Sequence, residues 1–188
     1  MSARERLLTA ALDRFAADGA VAPTLEEIRT AAGVSVGALY YHFPDKTSLH
    51  AALYIEVLRS YQEGFVLELR AHPGAREGVR AGVAYHLRWV AAHRAEATLL
   101  LRERPGDEEA VRAAGADFMA EVAGWFRTHA HYGVVRDLPF DLLYALWIGT
   151  AQEYCRHWLA SGRSRMRPEA VRTLSDAAWS ALSIPGGG

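Results

Sequence analysis

Cysteine is almost missing from this chain, because Cys155 is its single copy. One thiol cannot form a disulfide within the chain, and it cannot build a cysteine-based zinc site. We expect Cys155 to be a small buried apolar residue. The alternative, a redox-sensing thiol, would require exposure and a lowered pKa, and no feature of the sequence indicates either.

Long apolar runs are missing as well. The longest, around 144–148, is far shorter than the ~20 residues that span a bilayer. The N-terminus mixes arginines with acidic residues and has no apolar segment of the secretory type. Apolar residues make up 51% of the chain and the formal net charge is -1, which is typical of a globular protein. We expect a cytoplasmic protein with no membrane partner.

Recognised catalytic spacings are scarce although the chain has eight histidines. It contains no His-Glu-x-x-His metalloprotease motif and no glycine-rich phosphate-binding loop. His129 and His131 would fall on different sides of a helix end, so they do not form a metal pair. We therefore predict no catalytic residues, no cofactor and no metal site, and we expect the chain not to be an enzyme.

Strand patterns are absent too, and apolar residues recur at helical spacing along most of the chain. The fold class predicted is all-α with about nine helices. The predicted helices cover about 3–18, 24–31, 35–43, 45–70, a segment after Gly74, 95–104, 107–130, 139–162 and 168–183.

A helix-turn-helix is predicted between Thr24 and Pro44. Thr24 and Glu27 have the spacing of a capping box, in which each residue satisfies a free backbone N–H of the other. Gly33 is the residue expected where a helix ends in a left-handed conformation, and Ser35 can cap a new helix two positions later. Two short helices therefore meet at a sharp turn.

The second of these helices has two different faces. Leu39 and Phe43 lie four residues apart and should face the core, whereas Gly37 and Tyr41 project from the opposite side, with Tyr40 on the flank. A glycine inside a helix costs about 1 kcal/mol relative to alanine. Close approach of this helix to a bulky partner, such as a DNA backbone, would explain that glycine.

These positions together resemble the N-terminal domain of the TetR (tetracycline-repressor) family over about residues 4–54. The residues that carry the resemblance are Thr24, Ile28, Ala32-Gly33-Val34-Ser35, Gly37, Leu39-Tyr40, His42-Phe43, Lys46 and Leu49. It implies a helix-turn-helix DNA-binding domain over 1–50 and a helical effector-binding and dimerisation domain over 51–188. The function implied is that of a sequence-specific transcriptional regulator, with relief of repression by a ligand as the usual outcome.

The resemblance also implies roles for single residues in contact with operator DNA. Thr24 would contact a phosphate at the start of the first short helix, and His42 and Lys46 would hold flanking phosphates. Tyr41 is either a packing residue or a DNA contact. The full predicted DNA-binding set is Thr24, Ser35, Val36, Gly37, Tyr40, Tyr41, His42 and Lys46, of which Val36, Gly37 and Tyr40 would lie against the major groove.

Two residues depart from what many relatives carry, namely Glu26 and Arg29. Glu26 would repel phosphates, could read a cytosine amino group, or could point sideways. Arg29 is either an extra phosphate contact or a solvated surface arginine. Residues 1–50 contain five Lys or Arg against six Asp or Glu, so this region has no basic excess. Because non-specific affinity scales with the phosphates neutralised, we expect a homodimer on a palindromic operator.

The resemblance assigns the C-terminal part to dimerisation and to binding of an unknown small-molecule effector. Dimerisation would use the helices at 139–162 and 168–183, where Trp147, Trp158 and Trp179 would otherwise be exposed. An effector would bind among packed helices. The predicted pocket residues are Tyr61, Phe65, Tyr85, His86, Trp89, Phe118, Trp125, Tyr144 and Trp147. The rival interpretation is a helical dimeric adaptor or small-molecule-binding protein that does not bind DNA.

Overall fold

The protein is all-α in a computed structural model that describes residues 1–18, 23–102, 105–106 and 108–184. Nine helices form this described part, which confirms the predicted fold class and number. They are α1 (Ala3–Asp18), α2 (Leu25–Ala32), α3 (Val36–His42), α4 (Lys46–Ala71), α5 (Ala75–Ala92), α6 (Arg94–Arg102), α7 (Glu108–His131), α8 (Phe140–Tyr144, a π-helical turn Ala145–Gly149, and Thr150–Ala160) and α9 (Ala170–Leu182).

Most predicted helix ends lie within two residues of those observed. The predicted end of the sixth helix at residue 104 and the start of the seventh at residue 107 lie outside the described residues. The π-helical turn within α8 was not predicted. In the described ranges, the β-structure consists of one isolated antiparallel bridge between Val135 and Ser183.

The chain divides into two compact units, which do not follow the predicted domain boundary at residue 50. Unit 1 comprises Met1–Ser60 and His93–Gly115, and unit 2 comprises Tyr61–Ala92 and Ala116–Gly188. The helices α4 and α7 are continuous in sequence through the points where one unit ends and the other begins. Compactness does not test independent folding, so the predicted domains stay a prediction.

Unit 1 is built around α1, which packs against α2, α3 and α6. The apolar stripe of α1 repeats every three or four residues and is buried, as helical periodicity requires. An ion pair of 2.9 Å between Arg4 and Glu56 connects α1 to the first half of α4. The core of this unit includes Leu7, Leu8, Phe15, Ile28, Val34, Leu39, Phe43, Leu49 and Leu53.

Unit 2 is built around α5, which packs against α8 and α9. The indole of Trp147 is fully buried against α5, and its Nε1 donates a hydrogen bond of 2.8 Å to the carbonyl of Val79. Gly82 makes room for this ring, because a Cβ at that position would lie 2.4 Å from the Trp147 indole. This aromatic side chain thereby joins α8 to α5.

No helix within the described ranges is long and apolar enough to cross a membrane.

Candidate nucleic-acid interface

The start of α2 is fixed by the predicted capping box. Thr24 Oγ1 accepts from the Glu27 backbone N–H at 3.2 Å, and a Glu27 carboxylate oxygen accepts from the Thr24 backbone N–H at 2.7 Å. The Thr24 hydroxyl also donates to that carboxylate at 2.9 Å. These bonds from Thr24 hold the pKa of Glu27 below its usual value. The cap is therefore confirmed, and the Thr24 hydroxyl is already engaged within the protein.

The turn between α2 and α3 has the predicted left-handed glycine. Gly33 has φ 62° and ψ 39°, and its N–H bonds the carbonyl of Thr30 at 3.1 Å. The N–H of Val34 bonds the carbonyl of Arg29 at 3.3 Å, which completes a Schellman motif. Ser35 then caps α3 by accepting from the Ala38 N–H at 3.2 Å. Both predictions, the stop at Gly33 and the cap at Ser35, are confirmed.

The helix α3 exposes one face and buries the other. Leu39 is buried and Phe43 follows it at the C-terminal cap, whereas Val36, Tyr40 and Tyr41 are 54%, 56% and 84% exposed. A Cβ placed on Gly37 would have no heavy atom within 4 Å. The protein's own packing therefore does not require a glycine at position 37. We call Val36, Gly37, Tyr40 and Tyr41 the α3 face.

The remaining predicted DNA-binding residues flank the α3 face along the chain. His42 is the last residue of α3, and its ring lies edge-on to that of Tyr41 with centroids 5.0 Å apart. Lys46 is the first residue of α4, which begins after Asp45 accepts from the Ser48 N–H at 2.7 Å. Thr24 stands at the start of α2. Thr24, His42 and Lys46 therefore lie at the start of α2, the end of α3 and the start of α4.

Glu26 and Arg29, whose roles the sequence left open, bind each other along α2. Arg29 Nε donates to a Glu26 carboxylate oxygen at 2.8 Å, and Nη2 donates to the other oxygen. This pairing lowers the pKa of Glu26 and raises that of Arg29. Arg29 Nη1 also donates to the backbone carbonyl of Val34 at 2.7 Å. The sequence analysis did not predict the Glu26–Arg29 ion pair, although the i,i+3 spacing of these two residues on a helix indicates such a pair.

Gly33-Val34-Ser35-Val36-Gly37 matches the Gly-x-Ser-x-Gly spacing of the hydrolase nucleophile elbow. That motif requires a strand before the serine and a helix after it. Here the segment joins two helices, and the Ser35 hydroxyl accepts the Ala38 N–H as an N-cap. The structural context therefore differs from that of a hydrolase.

Unit 2 contains a cluster of aromatic rings that includes most of the predicted effector residues. Phe65 lies at the centre, with centroid distances of 5.5 Å to Tyr85, 5.5 Å to Phe118 and 5.3 Å to Trp147. Tyr61 contacts Trp89 at 4.9 Å. We call these six residues together with His86 the aromatic cluster.

Two predicted pocket residues, Trp125 and Tyr144, have ring contacts with residues outside the aromatic cluster. Trp125 contacts Phe126 and His129, at centroid distances of 5.0 and 4.1 Å. Tyr144 contacts Phe140 at 6.1 Å. The pKa of Tyr61 is raised mainly by burial, and nearby Tyr144 adds to that rise. Burial raises the pKa of Tyr144 itself to about 12.

His86 is the buried polar residue of the aromatic cluster. Its Nδ1 is 2.9 Å from the Tyr61 hydroxyl, while its buried Nε2 has no hydrogen-bond partner. Burial lowers the pKa of His86 to about 4, so the imidazole is neutral near pH 7. A buried polar atom without a partner costs free energy. Nε2 is therefore a point where a bound molecule could add a hydrogen bond.

Cys155 is fully buried, as predicted. Burial raises the pKa of its thiol to about 12, so the reactive thiolate is strongly disfavoured. The redox-sensing alternative required the opposite shift.

The expected exposure of tryptophans on α8 and α9 was wrong. Trp147 and Trp158 are buried within the chain itself, and Trp179 is half-buried. In the case of Trp147, the ring turns inward to fill the space above Gly82. The large apolar side chains that α8 does expose are Leu142 and Leu146, at 52% and 41%.

Comparison with known proteins gives matches to the N-terminal part of the chain. The family model described as bacterial regulatory proteins, tetR family, matches residues 7–53. The uncharacterized HTH-type transcriptional regulator TtgW of Pseudomonas putida is 40% identical over 70 residues. These residues are 37% of this chain and 42% of TtgW, so the match spans less than half of that relative.

Solved structures match nearly the whole chain. A structure from Shewanella sp. PV-4, assigned to the TetR family of transcription regulators, superposes with a TM-score of 0.83 at 19% identity and covers 98% of this chain and 100% of that one. The regulator FadR from Bacillus subtilis, in complex with stearoyl-CoA, gives a TM-score of 0.77 at 18% identity and covers 94% and 95%. At such identities the likeness concerns the fold.

The neutral, buried state of His86 predicts a loss of stability in acid. The ordinary histidine pKa of 6.5 applies to the unfolded chain, whereas the folded value is about 4. Between these values the unfolded chain binds more protons. The stabilisation is therefore complete above about pH 6.5 and is lost as the pH falls towards 4. We expect a loss of about 2 kcal/mol at pH 5 relative to pH 7.5, measured by urea denaturation.

The matched variants are His86→Gln, which should lose less stability on acidification, and Tyr132→Ala. Tyr132 is exposed and a phenol does not ionise between about pH 5 and 7.5, so its replacement should leave the pH dependence of stability as in wild type. Equal pH dependence in wild type and His86→Gln would contradict the assignment.

Proposed function

We propose that this chain is a sequence-specific DNA-binding transcriptional regulator of the TetR family, whose family model matches residues 7–53. The observation that carries the proposal is the exposed α3 face on a capped helix-turn-helix. Several exposed apolar and aromatic side chains on one helix face are typical of a surface that a partner covers. The major groove of DNA accepts a helix of this size.

The proposed contacts divide into base reading and phosphate binding. Gly37 lets the backbone of α3 approach the duplex, Val36 can pack on a thymine methyl, and Tyr40 lies beside them. Lys46 is the cation at the start of α4, and a helix N-terminus and a lysine both attract phosphate. Ser35, Tyr41, His42 and Thr24 complete the proposed interface.

We propose that the protein acts as a homodimer through α8 and α9. A single helix-turn-helix region has five basic and six acidic residues, so one copy offers little general attraction to DNA. Two copies on one palindromic site would add their contacts. Leu142 and Leu146, exposed on α8, supply apolar surface that a second copy can bury. Gly149, whose Cβ position is open, would allow the partner helix to come close.

The aromatic cluster is proposed as the effector site. It consists of packed rings, and its polar groups include the neutral His86 and the Tyr85 hydroxyl, which donates to the Tyr61 carbonyl at 2.9 Å. An ionised ligand buried here without a charge partner would be strongly disfavoured. An uncharged aromatic or apolar molecule with one hydrogen-bonding group fits this chemistry, with that group at His86 Nε2.

The proposed response to the ligand is relief of repression. A ligand that binds better to one arrangement of the two DNA-binding regions than to another shifts the dimer towards the favoured arrangement. The helix α4 is the covalent continuation from the DNA-binding region into the aromatic cluster, because it carries Lys46 at its start and Tyr61 and Phe65 further along.

DNA binding should depend on the α3 face. Tyr40→Ala is expected to weaken binding to a site selected from a random DNA pool about tenfold, and Lys46→Ala should lower the slope of log K against log salt by about 1. Fluorescence anisotropy across a salt series measures both quantities. Tyr132→Ala is the control, since Tyr132 is exposed in unit 2. Unchanged affinity in both interface variants would favour an adaptor without DNA binding.

Dimerisation should depend on the exposed leucines of α8. Leu146→Glu places a charge in the proposed interface and is expected to convert the dimer to a monomer at micromolar concentration, because an unpaired buried charge is costly. Sedimentation velocity reports the change. Leu67→Glu is the control, since Leu67 is 66% exposed on α4. A monomeric wild type, or a dimer that tolerates Leu146→Glu, would count against α8 as the interface.

Effector binding should depend on His86. Among uncharged aromatic compounds screened for release of bound DNA, an active compound should lose at least about tenfold in affinity in His86→Leu, because the buried hydrogen bond is lost. His157→Gln, on the surface of α8, should respond as wild type. A compound that acts equally on His86→Leu would show that the effector binds elsewhere.

A further inference from the structure

We infer that Arg29, held by Glu26, is a positioning residue that orients α3 for DNA, and that it is not a phosphate contact. This inference rests on the proposed function, because it concerns how α3 is presented. It assigns a role to Glu26 and Arg29, whose relation to DNA the sequence left open. The contacts involved all lie between α2 and the first residues before α3.

Arg29 holds both ends of the Val34 backbone. Its own carbonyl accepts the Val34 N–H at 3.3 Å, and its Nη1 donates to the Val34 carbonyl at 2.7 Å. Val34 immediately precedes Ser35, the N-cap of α3. Fixing the peptide that joins Val34 to Ser35 fixes the direction in which α3 leaves the turn. A side chain on α2 therefore controls the orientation of the α3 face.

Glu26 holds the guanidinium in place for this task. Nε and Nη2 of Arg29 bind the two carboxylate oxygens of Glu26, and Nη2 also lies 3.3 Å from Thr30 Oγ1. With the bond to Val34, these contacts use four of the five N–H donors of a guanidinium. Little donor capacity is left for a phosphate. The Glu26 charge is compensated by the same pair, so its repulsion of DNA is reduced.

A second arginine supports the neighbouring carbonyl of the turn. Arg6 Nη1, on α1, lies 3.4 Å from the carbonyl oxygen of Gly33. The Schellman motif uses the N–H groups of Gly33 and Val34 but leaves their carbonyls to other donors. Arginines from two helices supply these donors. The shorter, part-buried bond from Arg29 is the dominant one.

The decisive variant is Arg29→Lys, which keeps the charge but removes the planar fork. A lysine cannot bridge the Glu26 carboxylate and the Val34 carbonyl in the same way. If Arg29 positions α3, then Arg29→Lys and Arg29→Gln should each lower affinity for the selected operator about tenfold, with the salt slope unchanged. If Arg29 binds phosphate, Arg29→Lys should bind as wild type and Arg29→Gln should lose about 1 from the slope per contact. That second pattern would overturn the inference.

The direction in which Glu26→Gln changes DNA affinity provides a second test. Removal of a repulsive carboxylate would strengthen DNA binding, whereas loss of the support for Arg29 would weaken it. We expect weaker binding, and we expect this effect to vanish when Arg29→Gln is already present, because the pair acts as a unit. Tighter binding, or an equal effect in both backgrounds, would contradict the inference.

Hydrogen exchange without DNA separates failure of this inference from failure of the proposed function. Backbone amides of residues 34–39 should exchange faster in Arg29→Lys than in wild type, while those of α5 should not change. Equal exchange at 34–39 would overturn the positioning role whether or not DNA binds. A further outcome is that exchange rises in Arg29→Lys while the wild-type protein selects no DNA from the random pool. That result would contradict the proposed regulatory function, but it would support the role of Arg29 in holding the turn before α3.

Discussion

The left-handed backbone at Gly33 is the constraint on which the proposed function depends. With φ at 62°, this residue ends α2 and redirects the chain so that Ser35 can begin α3 only two positions later. Residues other than glycine pay steric energy in this region. Without the turn, Leu39 and Phe43 could not face the core of unit 1 while Val36 and Tyr41 face outwards.

The acidic residues of α2 have partners within α2 and its N-terminal cap. The helix-turn-helix region has no basic excess, and its acidic residues Glu26 and Glu27 are engaged by Arg29 and Thr24 within α2 and its cap. Carboxylates near the N-terminus of a helix are favourable there, since they meet its free N–H groups. The α3 face can therefore be presented to a polyanion although the acidic residues of α2 lie close to it in sequence.

The aromatic cluster of unit 2 poses a different physical problem. Its rings pack tightly enough that Gly64 and Gly82 are needed to admit Tyr85 and Trp147. Within this apolar setting His86 keeps one nitrogen bonded to Tyr61 and the other without a partner. Buried polar atoms in folded proteins rarely lack a hydrogen-bond partner. His86 Nε2 is therefore the atom of the cluster to which a ligand could add a hydrogen bond.

The sequence by itself determined the local structure: the capping box at Thr24, the stop at Gly33, the cap at Ser35 and the helical periodicity that makes the protein all-α. These features depend on residues within four or five positions of each other, so their geometry follows from spacing alone. The tertiary structure decided which of several available partners each side chain takes. Arg29 binds Glu26 and Val34 instead of solvent, and Trp147 turns inward onto Gly82 and Val79. Such choices depend on packing and on competition between partners, which a linear pattern does not encode.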